Sequence, residues 1–183
     1  MSVRPAAMAA VLLASAALVA VAAPVAPAGA AEAPAPLATA AIADVGGAAR
    51  GSARIVAGTG GPVLMVDLNG VAPGMHGMHF HAVGDCGGAG FAAAGGHLNP
   101  NNRQHGSHNP RGSHLGDLPN VTANDAGEVH ATVALPMSVG KLRAALFDAD
   151  GTALVVHAGP DDYMTDPAGG SGARIACGVF MAR

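Results

Sequence analysis

Val121-Thr122-Ala123-Asn124-Asp125-Ala126-Gly127-Glu128-Val129-His130-Ala131-Thr132-Val133-Ala134-Leu135 reads as two short extended runs, Val121–Ala123 and Glu128–Leu135, joined by an Asn-Asp-Ala-Gly turn signal. Within the second run His130 alternates with Val129 and Ala131, which predicts a solvent-facing side chain. The same pattern recurs upstream at Ala38–Ala43, Arg50–Ala57, Val63–Leu68 and His76–Val83. It recurs downstream at Thr152–Ala158 and Arg174–Met181, with Asp148-Ala149-Asp150-Gly151 as another turn signal. Eight short strands without a long amphipathic helix predict an all-β sandwich or barrel. Two long connections interrupt the rhythm, Gly84 to Leu118 and Gly159 to Ala173. Connections of that length in a compact domain are usually functional, and the first carries four of the nine histidines.

Composition narrows the class further. The 183 residues suffice for one domain with a core, and 27 Gly with 13 Pro favour a turn-rich β architecture over a helical bundle. A net charge of −3 gives no footprint for nucleic acid. At the N-terminus, Arg4 precedes an apolar stretch from Met8 to Ala23 that ends at Pro24, short of the ~20 residues a membrane span needs. Ala28-Gly29-Ala30-Ala31 supplies a small-residue cleavage site. Residues 1–31 are therefore expected to be a signal peptide, 32–37 a Pro/Ala linker and 38–183 the folded domain. The mature protein is expected to be exported and free of the membrane, in the periplasm or, alternatively, secreted. In such a compartment Cys86 and Cys177 are expected to pair as a disulfide.

Histidine is the strongest bias of the chain, and its spacing points to metal. His79 and His81 sit at i and i+2 of a strand and project from one face, while Gly77 leaves room for close backbone approach. His97, His105 and His114 follow, with Asp117 three residues after the last, and His157 comes later. Three histidines and one carboxylate make a closed four-ligand set of the kind structural zinc prefers, and nitrogen donors suit copper as well.

These blocks resemble the copper/zinc superoxide dismutase family of the bacterial exported type. The resemblance runs through Gly77-Met78-His79-Phe80-His81, Gly84-Asp85-Cys86, Gly95-Gly96-His97-Leu98-Asn99-Pro100 and His105-Gly106. It continues in His114-Leu115-Gly116-Asp117-Leu118-Pro119, Leu154-Val155-Val156-His157-Ala158-Gly159 and Gly172-Ala173-Arg174-Ile175-Ala176-Cys177-Gly178-Val179. The resemblance implies an eight-stranded Greek-key β-barrel or sandwich with two long functional loops, an architecture carried over from the family. It implies copper held by His79, His81, His97 and His157, and zinc held by His97, His105, His114 and Asp117, with His97 bridging the two. It implies Asp161 as a carboxylate orienting ligands of both metals, Cys86–Cys177 as the disulfide tying loop to strand, and Arg174 as the guide for the superoxide anion.

The expected reaction is dismutation of superoxide to oxygen and hydrogen peroxide, with Arg174 and His97 as the catalytic pair. The rival expectation is an exported copper/zinc buffer without efficient turnover. A hydrolytic zinc protein fits less well, because Asp117 is better placed as a fourth ligand than as a general base. His76 is expected to be a structural hydrogen-bonding histidine, and His108 and Tyr163 ordinary loop residues. Met78 stands where the family usually has an aromatic; of the loops that often carry steering charges, Phe91 to Gly96 is uncharged and Asp161 to Gly172 has no lysine, leaving Arg103 and Arg111 as the candidates to assist Arg174. A homodimer and a monomer fit the sequence equally.

Overall fold

β1 (Pro36–Asp44), β2 (Ala49–Gly58) and β3 (Gly61–Leu68) form an antiparallel meander whose side chains alternate with period two. In β3, Leu64, Val66 and Leu68 turn inward while Val63, Met65 and Asp67 turn outward, as a half-buried strand requires. The Gly58↔Gly61 pair leaves a two-residue turn at Thr59-Gly60, which locks the register of the hairpin. The computed structural model describes Met1 and residues 35–183; the expected signal peptide lies outside the described residues. β1 begins at Pro36, inside the segment expected as linker.

The remaining elements are β4 (Gly74–His76), β5 (Met78–His81), β6 (Val121–Ala123), β7 (Val129–Ala134), α1 (Val139–Leu146), β8 (Ala153–His157), β9 (Arg174–Val179) and β10 (Met181–Ala182). One curled antiparallel sheet runs β5-β8-β9-β1-β2-β3-β7, with β10 also pairing β1, and β4 and β6 form a separate pair. The chain crosses between the ends of this sheet three times, after β3, after β5 and after β7, and the last long strand lies beside the first, in the Greek-key manner. Ile42, Ile55, Leu64, Phe80, Val129, Leu154 and Val156 are among the residues that fill its concave side. Among the described residues no helix is long and apolar enough to cross a membrane.

Three details differ from the sequence reading. The expected strand His76–Val83 breaks at Gly77, so β4 pairs β6 while β5 pairs β8. Gly77 donates its N–H to Gly159 and accepts from His157, and a side chain there would strike Ser171. Arg174–Met181 divides likewise into β9 and β10. A short helix, α1, occupies a stretch read as connection: Ser138 caps it by accepting from the Lys141 N–H, and Leu142 and Leu146, one turn apart, enter the core.

Alternation in β5 and β8 positions the site. Met78 and Phe80, with Leu154 and Val156, face the main core. The odd-numbered residues face the opposite side: His79 pairs Val155 and His81 pairs Ala153 across the ladder. On that side the long loop lies along the free edge of β5, through Leu98 N–H to Phe80 O, Phe80 N–H to Gly116 O and bridges His79↔Asp117 and His81↔His97. This pairing covers an edge that would otherwise be open and brings the loop histidines beside the strand histidines.

Candidate metal centre

Four imidazole nitrogens converge in the space between β5, β8 and the loop. They are Nδ1 of His79 and Nε2 of His81, His97 and His157, and each is buried with no hydrogen-bond partner among the described residues. The four residues can place one ligand atom each within 4.8 Å of one another. A buried polar atom left without a partner costs about 1–3 kcal/mol, so four pointed at one spot call for a cation. In each of the three outer rings the other nitrogen is committed to a protein acceptor. His81 donates from Nδ1 to the Gly95 carbonyl at 2.9 Å, and His157 from Nδ1 to Gly172 at 3.2 Å. His79 donates from Nε2 to Asp161 Oδ2 at 2.6 Å. These contacts fix the tautomers and leave the inward nitrogens with free lone pairs.

A second set shares His97. Nδ1 of His97, His105 and His114 lie 2.9, 3.0 and 3.1 Å from Oδ1 of Asp117, and the first and last of these nitrogens are 3.4 Å apart. Donors around a tetrahedral ion with bonds of about 2.0–2.1 Å stand roughly 3.3 Å apart, so this spacing suits zinc. The other oxygen of Asp117 is held by the N–H groups of Gly106 and His114, both at 2.9 Å.

Burial and charge set the protonation of these groups. Burial pushes His81 down to about 3 and His97 and His157 to about 4, which keeps them neutral ligands near pH 7. Burial also disfavours charge on His105, but hydrogen bonds to Asp117 and Asp161 outweigh it and raise that ring to about 9. Burial would raise Asp117 and Asp161; their histidine partners instead hold both carboxylates well below the ordinary range.

Arg174 lies at the mouth. It is paired with His157 across β8 and β9, and a bulge between Val156 and His157 offsets the register there. Its guanidinium donates to the carbonyls of Phe91 at 2.7 Å and Gly95 at 2.6 Å. A cavity of about 440 Å³ opens here, lined by His81, His97, His157 and Arg174 together with small neutral residues of both loops.

The family model for copper/zinc superoxide dismutase (SODC) matches residues 49–180 of this chain. The chain belongs to the copper/zinc superoxide dismutase family. It is 43% identical over 134 residues to "Superoxide dismutase [Cu-Zn]" of Caulobacter vibrioides, covering 71% of this chain and 77% of that protein. It is 41% identical over 133 residues to "Superoxide dismutase [Cu-Zn] 2" of Aquifex aeolicus, covering 71% and 78%. The crystal structure of a superoxide dismutase-like protein from Bacillus subtilis is similar with a TM-score of 0.72 at 36% identity, covering 77% of this chain and 96% of that one. The copper/zinc superoxide dismutase from Brucella abortus is similar with a TM-score of 0.63 at 34% identity, covering 77% and 97%.

Beyond the copper/zinc superoxide dismutase blocks read from the sequence, the structure adds residues that no spacing signalled. Asp161 is tied by Asn120, whose side-chain amide donates to the Asp161 carbonyl at 2.9 Å and accepts from its N–H at 2.8 Å. Tyr163 contributes too: its hydroxyl accepts from the Asn120 N–H at 2.8 Å, and its own N–H donates to Asp161 Oδ1 at 2.6 Å. Asp166 accepts from the backbone N–H of His105 at 2.6 Å. Cys86 and Cys177 are joined as a disulfide, which ties the loop to β9. His76 is buried, with its ring nitrogens 2.7 and 2.8 Å from the carbonyl oxygens of His157 and Ala72. His108 packs edge-on to Tyr163, and exposed His130 lies 3.0 Å from Asp67 on the neighbouring strand. Arg103 and Arg111 are not among the residues lining the cavity.

Proposed function

We propose that this chain dismutes superoxide to oxygen and hydrogen peroxide, with His79, His81, His97 and His157 holding copper and His97, His105, His114 and Asp117 holding zinc. The observation that carries the reading is the position of His97, whose Nε2 belongs to one converging set and whose Nδ1 belongs to the other. Copper at the four-histidine set supplies a one-electron couple, which zinc lacks. Arg174, held by two carbonyls beside the cavity, attracts and orients the anion. With both nitrogens engaged as ligands His97 would carry no proton, and as a general acid it would take one from solvent at Nε2 and pass it to the reduced second superoxide. The other proton comes from solvent through the open mouth, so two superoxide anions and two protons give one oxygen and one hydrogen peroxide.

Asp161 and Asn120 act as the frame that keeps His79 and His105 aimed at their sites. The disulfide supports export to an oxidising compartment, with residues 1–31 as the signal peptide and the periplasm as destination. Metal binding without turnover is the second reading, favoured by the similarity to a Bacillus subtilis protein described only as superoxide dismutase-like. Metal content and superoxide consumption, measured on one sample before and after copper and zinc loading, separate the two. About one copper and one zinc per chain, with activity that disappears in His157→Ala, supports the enzyme. Two bound metals without turnover supports the buffer, and zinc alone overturns the copper assignment.

A further inference from the structure

Phe91 stands in the left-handed region, at φ 59° and ψ 35°, directly after Gly90 at φ 59° and ψ 33°. That conformation suits glycine and strains a bulky L residue, so something must hold the phenylalanine there. Phe91 is 6% exposed and forms a small cluster with Ala94, Ala153, Val155 and Cys177, against which Cys86 also packs. This cluster sits apart from the main core, on the loop side of β8 and β9. Burial of the ring against the disulfide outweighs the backbone cost.

The consequence appears at the cavity mouth. The Phe91 carbonyl accepts from Nη1 of Arg174 at 2.7 Å, and the Gly95 carbonyl accepts from Nη2 at 2.6 Å. Gly95 uses the same oxygen to accept from His81 Nδ1 at 2.9 Å. Two acceptors fix the plane of a guanidinium fork, whereas one leaves it free to rotate. We propose that Phe91 is a positioning residue for Arg174: its buried ring holds a left-handed backbone whose carbonyl fixes the guanidinium toward an incoming anion. The inference rests on the proposed dismutase reading for its purpose. Its geometry concerns only how firmly an anion is received beside the four-histidine set.

The test is a double-mutant cycle with Phe91→Ala and Phe91→Leu, each alone and combined with Arg174→Ala. Azide is the anion probe, titrated against copper- and zinc-loaded protein by visible spectroscopy. Metal analysis and free-thiol assay accompany each variant, to show that the sites and the disulfide are kept. Phe91→Ala is expected to weaken azide binding about tenfold and Phe91→Leu two- to threefold, with neither having any effect once Arg174 is alanine. Azide affinity unchanged in Phe91→Ala overturns the proposal. An equal loss in the Arg174→Ala background overturns it as well, because that loss would be merely structural. If Phe91→Ala does not fold, the Phe91→Leu pair decides in the same way. Wild-type protein that binds both metals and azide without consuming superoxide would remove the dismutase reading and leave this arrangement standing.

Discussion

His79 donates from Nε2 to Asp161 Oδ2 at 2.6 Å, and both side chains are wholly buried. The second oxygen of the same carboxylate accepts from Nε2 of His105 at 3.0 Å. One aspartate thus reaches a histidine of each converging set and leaves Nδ1 of each ring facing inward. Together the two contacts fix how the two histidine sets sit relative to each other.

Asp161→Asn is therefore expected to weaken at least one of the two sites. An amide presents one acceptor where the carboxylate presents two, so one histidine must lose its orientation. Loss of such a contact costs roughly 10–100-fold in metal affinity. Competition against chromophoric chelators, run separately for copper and zinc, reads it; unchanged affinity for both metals would count against the bridging role.

Gly169 offers a way to disturb Asp161 without touching its chemistry. The residue has φ +65°, and a Cβ there would overlap the Asp161 carboxylate and crowd Nε2 of His105. Gly169→Ala is expected to lower stability by about 1–3 kcal/mol and to reduce zinc retention. Calorimetry of the loaded protein, followed by metal analysis after dialysis, gives both quantities. A variant with wild-type Tm and full zinc would show that the loop moves aside freely.

The disulfide closes a loop with a sequence separation of 91 residues. In the chain-entropy treatment a loop of that size contributes roughly 4–5 kcal/mol. Cys86→Ser with Cys177→Ser is expected to lower Tm by about 10–15 °C for a domain of this size. The two cysteines also join the loop bearing Phe91 to the strand bearing Arg174, so the same variant should lose anion affinity. Thermal unfolding under oxidising conditions tests the first effect, and a shift of only a degree or two would contradict it.

The strands were legible because their side chains alternate: Glu128–Leu135 and Val63–Leu68 carry the period of two that burial imposes. The short helix was not. Pro136 and Gly140 flank or enter it, and only Leu142 and Leu146 mark its buried face, too little for a helical period. The break at Gly77 was hidden because an extended run reads the same whether it pairs with one partner or two. At the site, His79 and His81 followed from strand alternation, the set of His97, His105, His114 and Asp117 from residue type and spacing, and the division of ligands between two metals from the family pattern. Asn120 grips the backbone of Asp161 with its side-chain amide, and Tyr163 and Phe91 contribute a backbone N–H and a carbonyl, contacts across the fold that spacing could not point to.

Electrostatic steering toward the cavity is expected to be short-ranged. Burial keeps His81, His97 and His157 neutral near pH 7, so Arg174 is the charged side chain lining the cavity mouth. The loops beside it contribute Gly96, Pro167, Ala168 and Gly172, none of which carries charge. Charges more than about 10 Å away are largely screened at 0.1 M salt, so long-range capture depends on a broad basic rim that this mouth lacks. Arg174 acts at short range, where screening is weaker. The second-order rate constant for superoxide is therefore expected to fall less than about threefold between low and physiological ionic strength. Pulse-radiolysis rates across that range decide it: a tenfold fall would show that charges outside the cavity, such as Arg103 or Arg111, take part in capture.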